Sequence, residues 1–194
     1  IVPRQSVIYD YKVGPDRRHW LATNLDLYWR DLQHMRWKAL EPRNSDLDLD
    51  RYECRRLYNV SGARSPKRTV SDVVDEDSPP DELWGFFVPR GESRKGRLAY
   101  LKDGYWTQLG DDTPFPAVTN ILLDSDGVYY LTTENGQLHI SLDRHSWIQV
   151  ARLGLEKVPL AACLIDTAGF FWFRIKFGGI AMFDPSSRRW TQTP

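Results

Sequence analysis

Asp124-Ser125-Asp126-Gly127-Val128-Tyr129-Tyr130 and, forty-two residues on, Asp166-Thr167-Ala168-Gly169-Phe170-Phe171-Trp172 carry one pattern twice. Each opens on a turn whose aspartate offers an Asx bond and whose glycine takes φ > 0 at no steric cost. Each then places an aromatic residue three positions after the glycine. A β-rich run precedes each turn, at Val118–Leu123 and Ala161–Ile165, and a further apolar run follows, at Gln137–Leu142 and Ile180–Phe183. An aspartate turn, Asp143 or Asp184, then leads into Trp147-Ile148-Gln149-Val150 or Trp190-Thr191-Gln192-Thr193. Short alternating segments bounded by turn chemistry read as antiparallel strands, four to a unit.

The same order runs back toward the start of the chain. Trp37-Lys38-Ala39-Leu40 and Trp106-Thr107-Gln108-Leu109 match the closing segments, so the closing tryptophans are separated by 69, 41 and 43 residues. A second aromatic column, Trp20, Trp84, Tyr130 and Trp172, stands 17 to 22 residues before each of them. Repeats of roughly 40–50 residues built from four short strands are the pattern of β-propeller blades. The expected fold is therefore all-β: a β-propeller of four four-stranded antiparallel blades, either a closed ring or part of a larger propeller. One domain over 1–194 is expected, with blades at about 6–40, 70–109, 118–150 and 160–193. The long first interval is expected to be a unit carrying an insertion at about 41–69. A four-stranded sheet has one face for each neighbour, so both aromatic columns are expected to fill the space between sheets.

These residues resemble the propeller repeats of two-component regulators and related ligand-binding sensor domains. Asp124, Gly127, Tyr130, Thr133 and Gly136 carry the likeness in the third unit; Asp166, Gly169, Trp172, Gly178 and Gly179 carry it in the fourth. The first unit keeps Asp16, Trp20 and Thr23 but has Leu25 in a glycine position, and the second has Pro79-Pro80 in place of the Asp-x-x-Gly turn. Ser141–Trp147 is similar to an Asp-box, and Phe183-Asp184-Pro185 to a kelch turn; both are propeller elements. The resemblance implies a sensor-like or scaffold role and favours an extracellular or periplasmic location.

Composition narrows the function. Lysine plus arginine and aspartate plus glutamate number 26 each, so no global field draws the chain to nucleic acid or to an anionic membrane. No run of 18 apolar residues predicts a spanning helix. Ile1–Ser6 lacks a signal peptide's apolar stretch, and a start at Ile1 without methionine is what a processed or trimmed product would show. Cys54 and Cys163 lack metal-ligand spacing and read as idle buried thiols or as a single bridge. No nucleophile elbow, phosphate loop or zinc signature occurs, and the histidines at 19, 34, 139 and 145 fall at non-equivalent positions. No catalytic residue, metal or cofactor is expected. Ser45-Asp46-Leu47-Asp48-Leu49-Asp50 with Glu53 has the acidity of a calcium loop but no glycine at its sharp turn, and reads as an exposed amphipathic edge. The charged stretch Arg51 to Arg68 predicts a loop that docks on its own blade or on a partner subunit, or one that is simply solvated.

Propellers bind at the mouth formed by the loops between second and third strands and by the links between blades. Those are Thr23–Asp26, Pro89–Gly96, Thr133–Gly136 and Lys176–Gly179, with links at Gly110–Ala117 and Ala151–Pro159. Arg90, Glu92, Arg94, Lys95, Phe115, Lys176 and Phe177 are the candidate ligand or partner contacts, the cations suited to carboxylate, sulfate or phosphate. The sequence thus predicts a noncatalytic module for ligand recognition or protein docking, within a larger assembly. Its partner would be a protein or a small anionic or carbohydrate ligand. The alternative is a carbohydrate-active enzyme, a glycosidase or lyase, on the same fold.

Overall fold

The computed structural model describes residues 2–3, 5–31, 33, 36–60, 82–92, 95–109, 115–124, 127–152, 160–166, 168–175, 178–187 and 189–193. The strands fall into four antiparallel sheets, each ordered as its strands occur in the chain. Sheet one is β1 (Ile8–Val13), β2 (His19–Thr23), β3 (Leu27–Arg30) and β4 (Lys38–Ala39). Sheet two is β5 (Tyr52–Val60), β6 (Glu82–Pro89), β7 (Lys95–Lys102) and β8 (Tyr105–Leu109), with the short β9 (Phe115–Pro116) also paired to β7. Sheet three is β10 (Val118–Leu123), β11 (Tyr129–Thr133), β12 (Gln137–Ser141) and β13 (Ile148–Arg152). Sheet four is β14 (Leu160–Ile165), β15 (Phe171–Ile175), β16 (Ile180–Asp184) and β17 (Arg189–Thr193). This is the four-bladed propeller architecture the repeats predict. The chain forms two compact units, one holding sheets one and two within residues 2–60 and 82–115, the other holding sheets three and four within 116–193.

One boundary is corrected. Tyr52–Val60 lies inside the segment read as an insertion, yet it is the first strand of sheet two and pairs with β6 from Tyr52↔Pro89 to Val60↔Glu82. Its charges hid it. Glu53 is only 6% exposed, but its carboxylate pairs with Arg55, whose guanidinium lies 4.2 Å from the Tyr9 ring centroid. A charge is tolerated in such a place when it is paired. The residues before β5 do dock on their own blade: Ser45 bridges to Trp106, the Asp46 amide donates to the Trp106 carbonyl, and the Asp46 carboxylate accepts from Tyr105 Oη at 2.8 Å. Leu47 and Leu49 are buried between the outward aspartates, the amphipathic alternation expected of this edge. The expected strand Val70–Val74 lies outside the described residues.

The register repeats from sheet to sheet. Trp20, Trp84, Tyr130 and Trp172 occupy one position on the second strand, opposite Trp29, Tyr100, Ile140 and Met182 on the third. Each first strand also carries a β-bulge at one place, with Tyr9, Arg55, Thr119 and Ala161 as the extra residues. A bulge bends a strand and raises its twist. In the first unit β1 lies against β5, and in the second β10 lies against β14, so the bulged first strands are the ones that meet. Asp10, just past its bulge, ties two of them by accepting the Leu57 amide at 2.9 Å.

Between the sheets the two aromatic columns meet. Trp20 of sheet one packs edge-on against Trp106 of sheet two at 5.5 Å, and Trp106 meets Phe87 at the same distance. In the second unit Tyr130 of sheet three lies 4.3 Å from Phe171 of sheet four, with Phe173, Phe183 and Trp190 behind it. Trp20, Trp84 and Trp106 are buried, whereas Trp37, Trp147, Trp172 and Trp190 are half-buried, so the columns are not uniformly core.

The turns between first and second strands add a polar latch. Asp124 Oδ1 accepts the Val128 amide and its Oδ2 accepts Tyr130 Oη at 2.9 Å; Asp166 accepts the Ala168 and Phe170 amides, and its Oδ2 the Trp172 indole at 2.7 Å. That indole, with the turn amides, holds the Asp166 carboxyl below its usual range. Sheet one has Gly14 in this position. A Cβ there would stand 2.8 Å from Asp16 Oδ1 and 3.0 Å from Trp20 Nε1, because Asp16, two residues later, has moved its carboxylate into the same space.

Candidate functional site

In each unit the candidate face lies where the first strands begin, beside the loops joining second and third strands. These loops are held by a repeated bond: Asn24 N–H donates to Val7 C=O, Arg90 N–H to Arg51 C=O, and Glu134 N–H to Ala117 C=O, at 2.7–3.1 Å. Buried threonines close two of them. Thr23 Oγ1 accepts the Leu25 and Asp26 amides and donates to Asp26 C=O, while Thr133 Oγ1 accepts the Gln137 amide. Gly136 takes φ 76° between Asn135 and Gln137, where a side chain would strain the loop.

Arg90 is the centre of this face in the first unit. Its Nε donates to Asp50 C=O at 3.0 Å, its Nη1 to Asn24 C=O at 3.2 Å, and its Nη2 to Leu25 C=O at 2.9 Å and Leu49 C=O at 3.1 Å. Four of the five N–H groups of a guanidinium are thereby engaged. Arg90 fastens the β2–β3 loop and the link before β5 to the β6–β7 loop, and those carbonyls occupy the donors that an incoming anion would need. Arg90, a candidate contact by sequence, thus uses four of its donors inside the chain. Asp26 stands beside it, half-buried; burial raises its carboxyl's pKa, Asp50 adds to the rise, and Arg90 opposes it.

The other sequence candidates divide. Glu92 and Lys95 are exposed on the same loop. Phe115 is half-buried and opens β9 against β7. Arg94, Lys176 and Phe177 lie outside the described residues. Sequence reasoning singles out neither Arg55 nor Tyr9, reads Glu53 only with the acidic stretch before it, and names Asp26 only as the end of a loop. Tyr9 and Arg55 are the bulge residues of β1 and β5; the sequence signal for β5 is the apolar cluster Leu57, Tyr58 and Val60 that closes the strand. Tyr52 sits between two cations, with Arg51 at 5.8 Å and Arg97 at 5.2 Å from its ring centroid.

Cys54 is a buried free thiol that donates to Arg56 C=O, and burial drives its pKa far up, so it is not a reactive thiolate. Among the described residues no group of three or more histidine, cysteine, aspartate or glutamate side chains is arranged to hold a metal, and no helix is long and apolar enough to cross a membrane.

No known protein family matches the chain, and no curated protein matches its sequence. Solved structures do. Regucalcin, a calcium-binding protein from Agrobacterium tumefaciens, is similar at TM-score 0.61 and 14% identity, over 97% of this chain and 60% of its own. Virginiamycin B lyase from Staphylococcus aureus, with quinupristin, is similar at 0.59 and 12%, over 100% and 57%. A chain of the nidogen/laminin complex is similar at 0.54 and 12%, over 96% and 64%. At these identities the likeness is one of fold, and the chain spans less than two thirds of the length of each. An enzyme and a component of a protein complex stand together among them.

Proposed function

We propose that residues 1–194 act as a noncatalytic β-propeller module that recognises a protein partner or a small ligand on the face built around Arg90. The observation that supports this reading is the Arg90 clamp. A guanidinium directed onto four backbone carbonyls of two neighbouring loops makes a fixed platform, and binding surfaces gain affinity from loops ordered before the partner arrives. Exposed Glu92 and Lys95 stand on the rim of that platform, with Asp26 and Asp50 beside the clamp, a mixed-charge edge suited to orienting a partner. The nidogen/laminin neighbour shows that this fold takes part in a protein complex, which favours a protein partner here.

A second reading is a carbohydrate-active enzyme. Asp26 favours it: a carboxyl with a raised pKa next to a second carboxylate is how a general acid is made. One experiment separates the two. The purified chain is incubated with a panel of polysaccharides and acidic oligosaccharides, following both calorimetric binding and release of reducing ends. The docking reading predicts binding without turnover, weakened by Glu92→Ala and Lys95→Ala. Turnover that disappears in Asp26→Asn would establish the enzyme instead.

A further inference from the structure

One position in the repeat changes its surroundings in the last sheet. The third-strand residue opposite the position two after the column aromatic is Leu27, Leu98, Leu138 and Ile180 in sheets one to four. The first three are 3%, 0% and 0% exposed; Ile180 is 51% exposed. Leu164, opposite Trp172 on the same face, is 56% exposed, while its counterpart Leu122 in sheet three packs into the core formed with Phe171, Phe173 and Phe183. Met182 and Trp172 lie on the same face and are half-buried, and the exposed Arg174 stands directly opposite Ile180, where sheets one to three carry Ala22, Phe86 and Thr132.

The chain shows twice what such a face receives. In the first unit the Trp20 and Leu27 face of sheet one packs on sheet two through Trp106 and Phe87. In the second, the Leu122, Tyr130 and Leu138 face of sheet three is closed by Phe171, Phe173 and Phe183 of sheet four. Each time the cover is the next sheet, presenting aromatic residues from its second strand together with one from a later strand, Trp106 of β8 or Phe183 of β16. We propose that the outward face of sheet four, formed by Leu164, Trp172, Ile180 and Met182, is the seat of a further four-stranded blade of the same repeat. Apolar side chains left in water at an otherwise covered repeat position mark an interaction surface. The similar structures, of whose chains this one covers 57–64%, extend beyond its span.

The test uses the full chain with a second copy of residues 158–193 joined after Pro194. That copy carries the aromatic row that already covers sheet three, so it should fold onto sheet four, shift Trp172 emission to the blue and raise the denaturation midpoint. Ile180→Glu in the extended chain should reverse both changes. Should the added repeat fail to fold by itself, the unextended chain decides: Ile180→Glu should leave its midpoint unchanged while Leu138→Glu lowers it sharply. Equal loss in the two variants would show that the chain already covers this face and would overturn the proposal. A discrete dimer of the unextended chain abolished by Ile180→Glu would also overturn it, assigning the face to a second copy.

Discussion

The two units answer one structural problem with different residues. In the first, the space between sheets is closed by tryptophans: Trp20 and Trp106 are 1% and 0% exposed, and Leu47 and Leu49 of the preceding link are buried in the same cluster. In the second, phenylalanines at Phe171, Phe173 and Phe183 form the buried layer, while Tyr130 and Trp190 stand at its border. The repeated columns therefore mark where sheets face each other without fixing how deeply each aromatic lies. Depth depends on what covers the column. The link segment docked on β8 supplies an extra layer in the first unit, and Trp172 lies on the outward face of sheet four.

The largest effect that tests this contrast comes from the first unit's covering segment. Replacing residues 44–68 by a short glycine-serine linker removes β5 with its link, and should abolish much of the β circular dichroism signal. A spectrum unchanged from the parent would return Tyr52–Val60 to the status of an insertion.

Next come the column residues. Trp106→Ala should cost about 3–5 kcal/mol, the range for deleting a buried large aromatic. Trp172→Ala and Trp147→Ala should cost less, roughly 1–2 kcal/mol, because each ring is already partly exposed in the folded chain. Sequence pattern alone predicts the same cost at every column position, so urea melts of these three variants measure how far depth departs from the repeat.

Arg90→Ala should cost about 1–2 kcal/mol, less than four charged hydrogen bonds would suggest because the side chain is exposed. Arg90→Lys should recover little of it, since an ammonium cannot reach four carbonyls in a planar fork. Hydrogen exchange should quicken in residues 24–26 and 49–51 in both variants, and stay unchanged in sheet four.

The smallest effect is one of pH. Asp143 is held down to about 2 mainly by the Ser146 amide, and Asp184 to about 2 mainly by the Ser186 hydroxyl. Both pKa values are depressed in the folded chain, so these turns contribute stability that is present above the ordinary carboxylate value near 4 and is lost as pH falls toward 2. The midpoint of thermal unfolding should fall over that window, and fall less steeply in Asp143→Asn/Asp184→Asn.

The fold was legible because large aromatics and Asp-Gly turns recur at one spacing, and that spacing is set by strand length. β5 was not legible as a strand: Glu53, Arg55 and Arg56 read as solvated charge, and only the folded chain brings Tyr9 and Glu53 to Arg55. The candidate face was legible in place but not in chemistry. The loop holding Arg90 could be found from its glycines and cations, whereas the guanidinium's acceptors are backbone carbonyls at 24–25 and 49–50, which have no side-chain signature.

The most direct measurement is a double-mutant cycle between Trp20 and Trp106, the pair in which the two repeated columns meet across sheets. Chemical denaturation of the parent, Trp20→Phe, Trp106→Phe and the double variant isolates their coupling. An edge-to-face aromatic contact predicts a coupling of about 0.5–1.5 kcal/mol. Strictly additive losses would contradict the account that successive blades are joined through their aromatic columns.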